Sequence, residues 1–256
     1  MAIIDIHSHI LPGIDDGSRN LDESIKMLEM SSEQGVELIY ATPHFYADQD
    51  HPDDFLRKRE EACKSLFQEL RGKNTENTGN AAASPEKFPE IRLGAEVAFF
   101  PGMSYAKALG ELTLETKSHQ KLLLLEMPFG NWDEDIMQEL WKLRERRDFR
   151  LVLAHLERFT TFKKNHEYIK KLLKGPDLIQ VNASSILEGF GWYKFGKWFR
   201  DDWVDFLGSD CHGIEHRAPN IEEARRLLDK KLGPSYLKML DAHGERMLDG
   251  EKDYAR

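Results

Sequence analysis

A chain of 256 residues, 40% of them hydrophobic, is long enough to bury one large core and reads as a single domain over 1–256. Its 36 basic against 45 acidic residues give a formal charge of −9, which argues against sequence-independent nucleic-acid binding, a function that needs a basic face. Two cysteines make no disulfide framework, the N-terminus has no basic-then-apolar leader, and no apolar run reaches the ~20 residues of a membrane helix, so the expectation is a cytoplasmic protein with no membrane insertion.

The run "AIIDIHSH" (2–9) is the first candidate strand, followed by a helix in "NLDESIKMLEMSSEQG" (20–35). There Leu21, Ile25 and Leu28 share one apolar face, Asn20 and Glu23 have capping-box spacing, and Gly35 supplies the stop. "VELIYATPH" is the second strand and 53–71 the next helix. The polar stretch "GKNTENTGNAAASPEKFP" (72–89) has no apolar period and predicts a flexible surface insertion. Strands follow in "IRLGAEVAFF", "KLLLLEMPF", "FRLVLAHLER", "LIQVNAS" and "WVDFLGSDCH", with helical spacing over 133–147, 160–174 and 220–231 and a frayed tail in "DGEKDYAR". Strands alternating with helices predict an α/β fold with a parallel sheet, and several strands are apolar on both faces, as buried strands are. Seven candidate strands point to a closed or nearly closed (β/α) barrel, with a doubly wound open sheet as the alternative.

Chemistry-bearing side chains collect at the C-terminal ends of these runs. The first ends in His7 and His9 and the second in His44; the third carries Glu96, the fourth Glu126, the fifth His155, and the seventh Asp210 and His212. In a (β/α) barrel all strand C-termini meet at one rim, so these residues would converge. Positions i and i+2 of a strand leave the same face, which makes a row of Asp5, His7 and His9. Burying such a row with Glu96 and Glu126 is costly without cations, and ionised carboxylates with neutral imidazoles are what divalent metals bind. The turn "GIDDG" adds Asp15 and Asp16. A lone strand-end histidine is more often structural; nine candidates, counting one of the two turn aspartates, over six strands or their following loops point to a metal centre.

The segments "DIHSHILPGIDDG", "ATPHF", "GAEVAF", "LLLLEMPF", "LAHLERF", "IQVNASSI" and "GSDCHGIEHRAP" run in order from residue 5 to residue 219. Together they resemble the polymerase-and-histidinol-phosphatase (PHP) family of metal-dependent phosphoesterases. More narrowly, they resemble the manganese-dependent bacterial protein-tyrosine phosphatases of capsule and exopolysaccharide operons. The resemblance implies a distorted, TIM-like (β/α)7 barrel of the PHP type holding three divalent ions at its C-terminal rim. Manganese is the expected ion, with zinc, iron, cobalt or magnesium as substitutes. Carried over by motif, the ligands are His7, His9, Asp16, His44, Glu96, Glu126, His155, Asp210 and His212, with Asp16 chosen because the family ligand immediately precedes the glycine. Asp5 would support a ligand rather than bind metal, and Arg158 in "HLER" and Arg217 in "HGIEHR" would grip the phosphate. The implied substrate is phosphotyrosine on the tail of an autophosphorylated, membrane-associated tyrosine kinase; a small phosphomonoester such as histidinol phosphate is the alternative. Phe45, Tyr46, Phe129 and Trp132 are candidates to flank the substrate ring.

Cys211 to Arg217 also spells C-x₅-R, the spacing of thiol-dependent tyrosine phosphatases, but an adjacent Asp210 disfavours a thiolate. A nuclease and a non-catalytic metal-binding scaffold are further rivals; the acidic balance weakens the first and an intact donor set the second.

Overall fold

A computed structural model describes residues 2–76, 88–116 and 120–249. Its elements in chain order are β1 (Ile3–Ser8), α1 (Leu21–Glu33), β2 (Val36–Ala41), β3 (His44–Phe45), α2 (Pro52–Glu76), β4 (Glu90–Leu93), β5 (Glu96–Ala98), β6 (Leu122–Glu126) and α3 (Glu134–Glu145). They continue with β7 (Arg150–Leu153), α4 (His166–Leu172), β8 (Leu178–Asn182), α5 (Ala183–Leu187), α6 (Gly191–Arg200), β9 (Phe206–Gly208), α7 (Ile221–Leu232) and α8 (Pro234–Asp249). Every paired strand is parallel. One segment of the curled sheet runs β1-β2-β4, the other β3-β5-β6-β7-β8-β9, and a single bridge from Ser8 to Cys211 links β1 to the loop after β9. No helix among the described residues is long and apolar enough to cross a membrane.

The seven apolar runs yield nine described strands because two runs break in the middle. The second breaks at Thr42-Pro43, where proline has no N–H to continue the ladder. The third breaks at Gly94-Ala95, where a Cβ on Gly94 would lie 2.4 Å from Leu114 Cδ2. The second halves of both runs then pair with each other, setting His44 opposite Glu96. The two kinks are therefore what bring these polar residues into one register.

Side chains on the concave face form one apolar cluster, including Ile6, Leu38, Tyr40, Leu122, Leu124, Val152 and Leu178. The alternate residues, such as Ile39, Leu123, Leu125, Leu153 and Ile179, pack in the larger cluster with the helices. This is the double burial expected of strands apolar on both faces. Helix α1 starts where the sequence indicates, with Asn20 Oδ1 accepting from Glu23 N at 3.0 Å. Glu23 Oε2 reaches back to Arg19 N, at 2.8 Å, one residue before the cap, and Gly35 ends the helix at φ 77°.

Two expectations differ. Residues 160–174 are not one helix: 3-10 turns at Leu156–Thr161 and Lys163–Asn165 precede the short α4. The Asn165 side chain explains the break, because it is committed to the β6–α3 loop, accepting from Trp132 N and donating to Gly130 O at 2.8 Å each. Helices α6 and α8 fall in stretches whose glycines and aromatics blur the helical period, and α5, at five residues, is too short to show one. Of the insertion expected over 72–89, residues 72–76 continue α2 and 77–87 lie outside the described residues, as does the tail from 250 onward.

Candidate metal centre

The opening strand explains how two histidines come to point inward. Asp5 pairs with Ile39 but Ser8 with Ala41, three residues against two, so β1 carries a bulge. A bulge re-aims the alternation of side chains. Ile4 and Ile6 pack on the concave apolar cluster, and past the bulge His7 and His9 continue that face. Asp5 does not belong to the row, contrary to the strand-period expectation. Its Oδ1 accepts the Ser209 N–H at 2.8 Å and the His7 N–H at 3.3 Å, so it ties β1 to the loop after β9 through backbone.

A second irregularity acts at β7. Val152 and Ala154 face the concave cluster, so a regular strand would turn His155 outward. His155 instead has a left-handed φ of 31°, and its Nε2 lies 2.7 Å from Glu96 Oε1. Among the described residues four non-glycines have positive φ, and three of them are His155, Asp210 and Arg217. Each such conformation costs about 1–3 kcal/mol and persists only where the surroundings impose it. That strain sits on the residues the sequence singles out for chemistry.

All nine expected donors converge. Three groups bring ligand atoms within 4.8 Å of one another: His9, Asp16, His44 and His212; His7, His9, Glu96 and Asp210; and His44, Glu96 and Glu126. His155 joins through Glu96 and lies 3.6 Å from Glu126 Oε1. Glu96 Oε2 is the hub, with His44 Nδ1 at 2.9 Å, His7 Nε2 at 3.1 Å and His9 Nε2 at 3.3 Å. Despite those distances Glu96 Oε2, Asp210 Oδ1, His44 Nδ1 and His212 Nε2 are buried with no hydrogen-bond partner. Lone pairs that converge without hydrogen-bond geometry fit divalent cations, which accept carboxylate oxygen and imidazole nitrogen together.

Imidazoles and carboxylates pull on one another here: against burial, Glu96 and Asp210 raise His7, and Asp15, Asp210 and Glu96 raise His9 well above the ordinary imidazole range, so a bound cation would take the place of those protons. Burial alone would raise Glu96, but His7, His155 and His44 hold it well below the ordinary carboxylate range. Asp210 is likewise held low, against burial, by His7 and His9. Burial, then the charges of His9 and Arg217, lowers His212 to about 4, leaving it neutral as a metal ligand must be. Glu126 is raised, first by burial and then by Glu96.

The adjacent aspartates have separate tasks. Asp15 Oδ2 lies 2.7 Å from His9 Nδ1 and accepts the His44 N–H at 3.0 Å, while its Oδ1 accepts from Gly17 N at 2.9 Å. It fixes the tautomer and orientation of His9. Asp16 is exposed at the mouth, its Oδ1 3.5 Å from His44 Nε2 and 3.4 Å from His212 Nε2. The loop closes tightly: a Cβ on Gly17 would lie 2.4 Å from both His9 Cβ and His9 O. Gly17→Ala is therefore expected to cost about 1–3 kcal/mol by overpacking and to weaken ion binding, which thermal melts with and without added manganese would read.

Both expected arginines stand over Asp210. Arg217 Nη2 is 2.6 Å and Arg158 Nη1 3.7 Å from Asp210 Oδ2, and Asn182 Nδ2 donates to the same oxygen at 2.7 Å. Asp210 is thus divided, Oδ2 serving the rim and Oδ1 facing the histidines. Sequence reasoning overlooked the supports on β8. Gln180 Oε1 accepts from His155 N at 2.8 Å and lies 3.1 Å from His7 Nδ1, and its Nε2 donates to Asn182 Oδ1 at 2.8 Å. Their signal was available: Gln180 and Asn182 are i and i+2 polar residues on an otherwise apolar strand. Glu157, also overlooked, accepts from Asn182 N at 3.1 Å and Ser185 Oγ at 2.6 Å, joining the Arg158 loop to β8.

Of the aromatic candidates, Phe45 and Trp132 are core residues, packed on Phe55 and Phe159. Tyr46 stacks on His44 with ring centroids 5.2 Å apart, and Phe129 is 73% exposed. Cys211 is fully buried, and burial, reinforced by Asp5 and Asp210, pushes its thiol far up. The C-x₅-R spacing accordingly carries no accessible thiolate nucleophile.

The chain is 27% identical to tyrosine-protein phosphatase YwqE of Bacillus subtilis (strain 168), over 96% of this chain and 91% of that protein. It is 26% identical to tyrosine-protein phosphatase CpsB of Streptococcus agalactiae serotype III (strain NEM316), over 90% and 91%. It superimposes with a TM-score of 0.79, at 23% identity and over 98% of this chain and 96% of the other, on a chain from the crystal structures of YwqE from Bacillus subtilis and CpsB from Streptococcus pneumoniae, described as unique metal-dependent tyrosine phosphatases. Residues 3–248 match the family model for capsular polysaccharide synthesis, CpsB/CapC, and the chain belongs to that family.

Proposed function

We propose that the chain is a metal-dependent protein-tyrosine phosphatase of the PHP type. The observation that carries this is the convergence of nine histidine and carboxylate donors beneath two arginines that share one aspartate oxygen. The family membership and the names of the relatives support the same activity. The ligands are His7, His9, Asp16, His44, Glu96, Glu126, His155, Asp210 and His212, and the three overlapping donor groups suit three ions, manganese first. The seven runs, consecutive in space and bridged from Ser8 to Cys211, suit a distorted (β/α)7 barrel.

Divalent ions held by these residues would supply hydroxide near neutral pH and offset charge on phosphoryl oxygens. The chain's own contribution is positioning. Asp15 and Gln180 hold the rings of His9 and His7, Asn182 holds Asp210, and Arg158 with Arg217 presents planar forks that each bind two phosphoryl oxygens. A tyrosine phenolate, with a pKa near 10, leaves without strong acid assistance, which matches a mouth whose nearest phenol, Tyr46, is pushed up to about 12, chiefly by burial. Tyr46 and Phe129 are the rings placed to flank the substrate.

The substrate we assign is phosphotyrosine on the tail of an autophosphorylated, membrane-associated kinase controlling capsule synthesis, met in the cytoplasm. Turnover of a phosphotyrosine peptide, histidinol phosphate and single-stranded DNA by manganese-loaded protein tests this. The peptide is expected to exceed the others in kcat/KM by at least about tenfold, roughly 1.4 kcal/mol of transition-state preference; a preference for histidinol phosphate would move the assignment to small phosphomonoesters.

A further inference from the structure

We propose that the groove between α4 and α6 docks an acidic segment of the phosphoprotein substrate that carries an aromatic or large apolar side chain. The groove has a volume of about 600 Å³. Its floor is Ile169, Leu173 and Trp198, and its rim carries Lys170, Lys174, Lys194 and Lys197. No carboxylate lines it, on a chain whose formal charge is −9. Lys170 and Lys197 are paired with Glu167 and Asp201, at 2.6 and 2.5 Å. Lys174 lies 5.9 Å from the centre of the Trp203 ring, and neither it nor Lys194 has a carboxylate partner among the described residues. Two unneutralised ammonium groups over an apolar floor complement a peptide bearing both acids and a ring. The acidic remainder of the surface would repel that peptide and steer it here.

The location links the groove to the reaction. Thr160 and Thr161 line the groove and belong to the same 3-10 turn, Leu156–Thr161, that carries Arg158. At about 2 Å of rise per 3-10 residue, these threonines lie a few ångströms along the chain from Arg158. An extended peptide, advancing ~3.3 Å per residue, covers that offset together with the reach of the Arg158 side chain in a few residues. A segment flanking the phosphotyrosine can therefore occupy the groove while the phosphate faces the arginines, which raises the effective concentration at the reacting centre. Within the groove Ile169, Leu173 and Trp198 lie beneath the lysines, which suits a peptide side chain, whereas Phe190 and Tyr193 project at the start of α6, so vesicle binding is the competing outcome of the test. The identity of the segment rests on the phosphatase reading; the groove's preference for an acidic, aromatic peptide does not.

The test uses the double variant Lys174→Glu/Lys194→Glu, both positions being exposed. A fluorescent, unphosphorylated peptide of Asp, Glu and Phe should bind the wild-type chain and lose about tenfold in affinity with the variant, as two reversed rim charges would cause. Replacing its Phe by Ser should weaken binding to the wild type. In turnover, the variant should raise KM about tenfold for a phosphotyrosine peptide with acidic-aromatic flanks while kcat holds. A Gly/Ser-flanked phosphopeptide and p-nitrophenyl phosphate should be unaffected. The proposal is overturned if the unphosphorylated peptide fails to bind, if both phosphopeptides respond alike, or if the protein sediments with phosphatidylglycerol vesicles and ignores the peptide. Peptide binding abolished by charge reversal, in a protein that hydrolyses no phosphotyrosine, would uphold the groove and remove the phosphatase reading instead.

Discussion

Dialysis against chelator is expected to abolish phosphotyrosine turnover and manganese to restore it, whereas Glu96→Gln remains inactive by about 10³-fold or more even with metal added, because it removes a charge on which several transition-state contacts depend. Glutamine keeps the shape of the side chain but not its charge, and Glu96 Oε2 is the atom that His7, His9 and His44 all face within 3.3 Å. A neutral amide there removes the negative centre shared by two of the three donor groups. Elemental analysis should find less metal in the variant than in the wild type. Melting adds a readout independent of activity: an ion bound only by the folded chain stabilises it by about 2.7 kcal/mol at about 100 times its Kd. Manganese should raise the wild-type Tm and leave Glu96→Gln nearly unmoved. Full turnover after metal has been removed to undetectable levels would end the metal mechanism.

Replacing Arg217 by lysine should lower kcat/KM for phosphotyrosine by about 10²-fold, the usual cost of losing one preorganised donor to developing phosphoryl charge. Lysine retains the positive charge and tolerates the same left-handed φ of 52° no better and no worse, so the change isolates the planar fork. The guanidinium is held 2.6 Å from Asp210 Oδ2, which aims it without burying it. An ammonium can keep that contact but cannot grip two phosphoryl oxygens in parallel. Inhibition by inorganic phosphate should weaken in step with turnover. Arg158→Lys is expected to cost less, since Arg158 lies 3.7 Å from the same oxygen and is less firmly aimed. Unchanged kinetics with Arg217→Lys would remove that residue from the phosphate site.

Much of this centre was legible beforehand because strand ends are local. A polar residue that closes an apolar run, as His44, Glu126 and Asp210 do, is placed at the rim by the parallel α/β architecture alone. What could not be seen was how each side chain is turned. Alternation along β1 groups Asp5 with His7 and His9, and the bulge separates them. Alternation along β7 sends His155 away from Glu96, and a left-handed residue brings it back. Phe45 and Trp132 look like rim aromatics in the sequence and are core in the fold, because neighbouring Phe55 and Phe159 cover them.

The sequence by itself determined the parallel α/β class, the acidic balance, the strand ends that hold the donors and the residue types offered to a cation. Periodicity and composition are properties of short windows, and those features are written in short windows. Only the tertiary structure decided that Asp15 braces His9 while Asp16 stands at the mouth beside His44 and His212, that Gln180 and Asn182 brace His7 and Asp210, and that two strands kink at Pro43 and Gly94 to set His44 against Glu96. Those outcomes depend on bulges, positive φ angles and contacts between residues from tens to nearly two hundred positions apart, where a local pattern carries no information about which way a side chain turns.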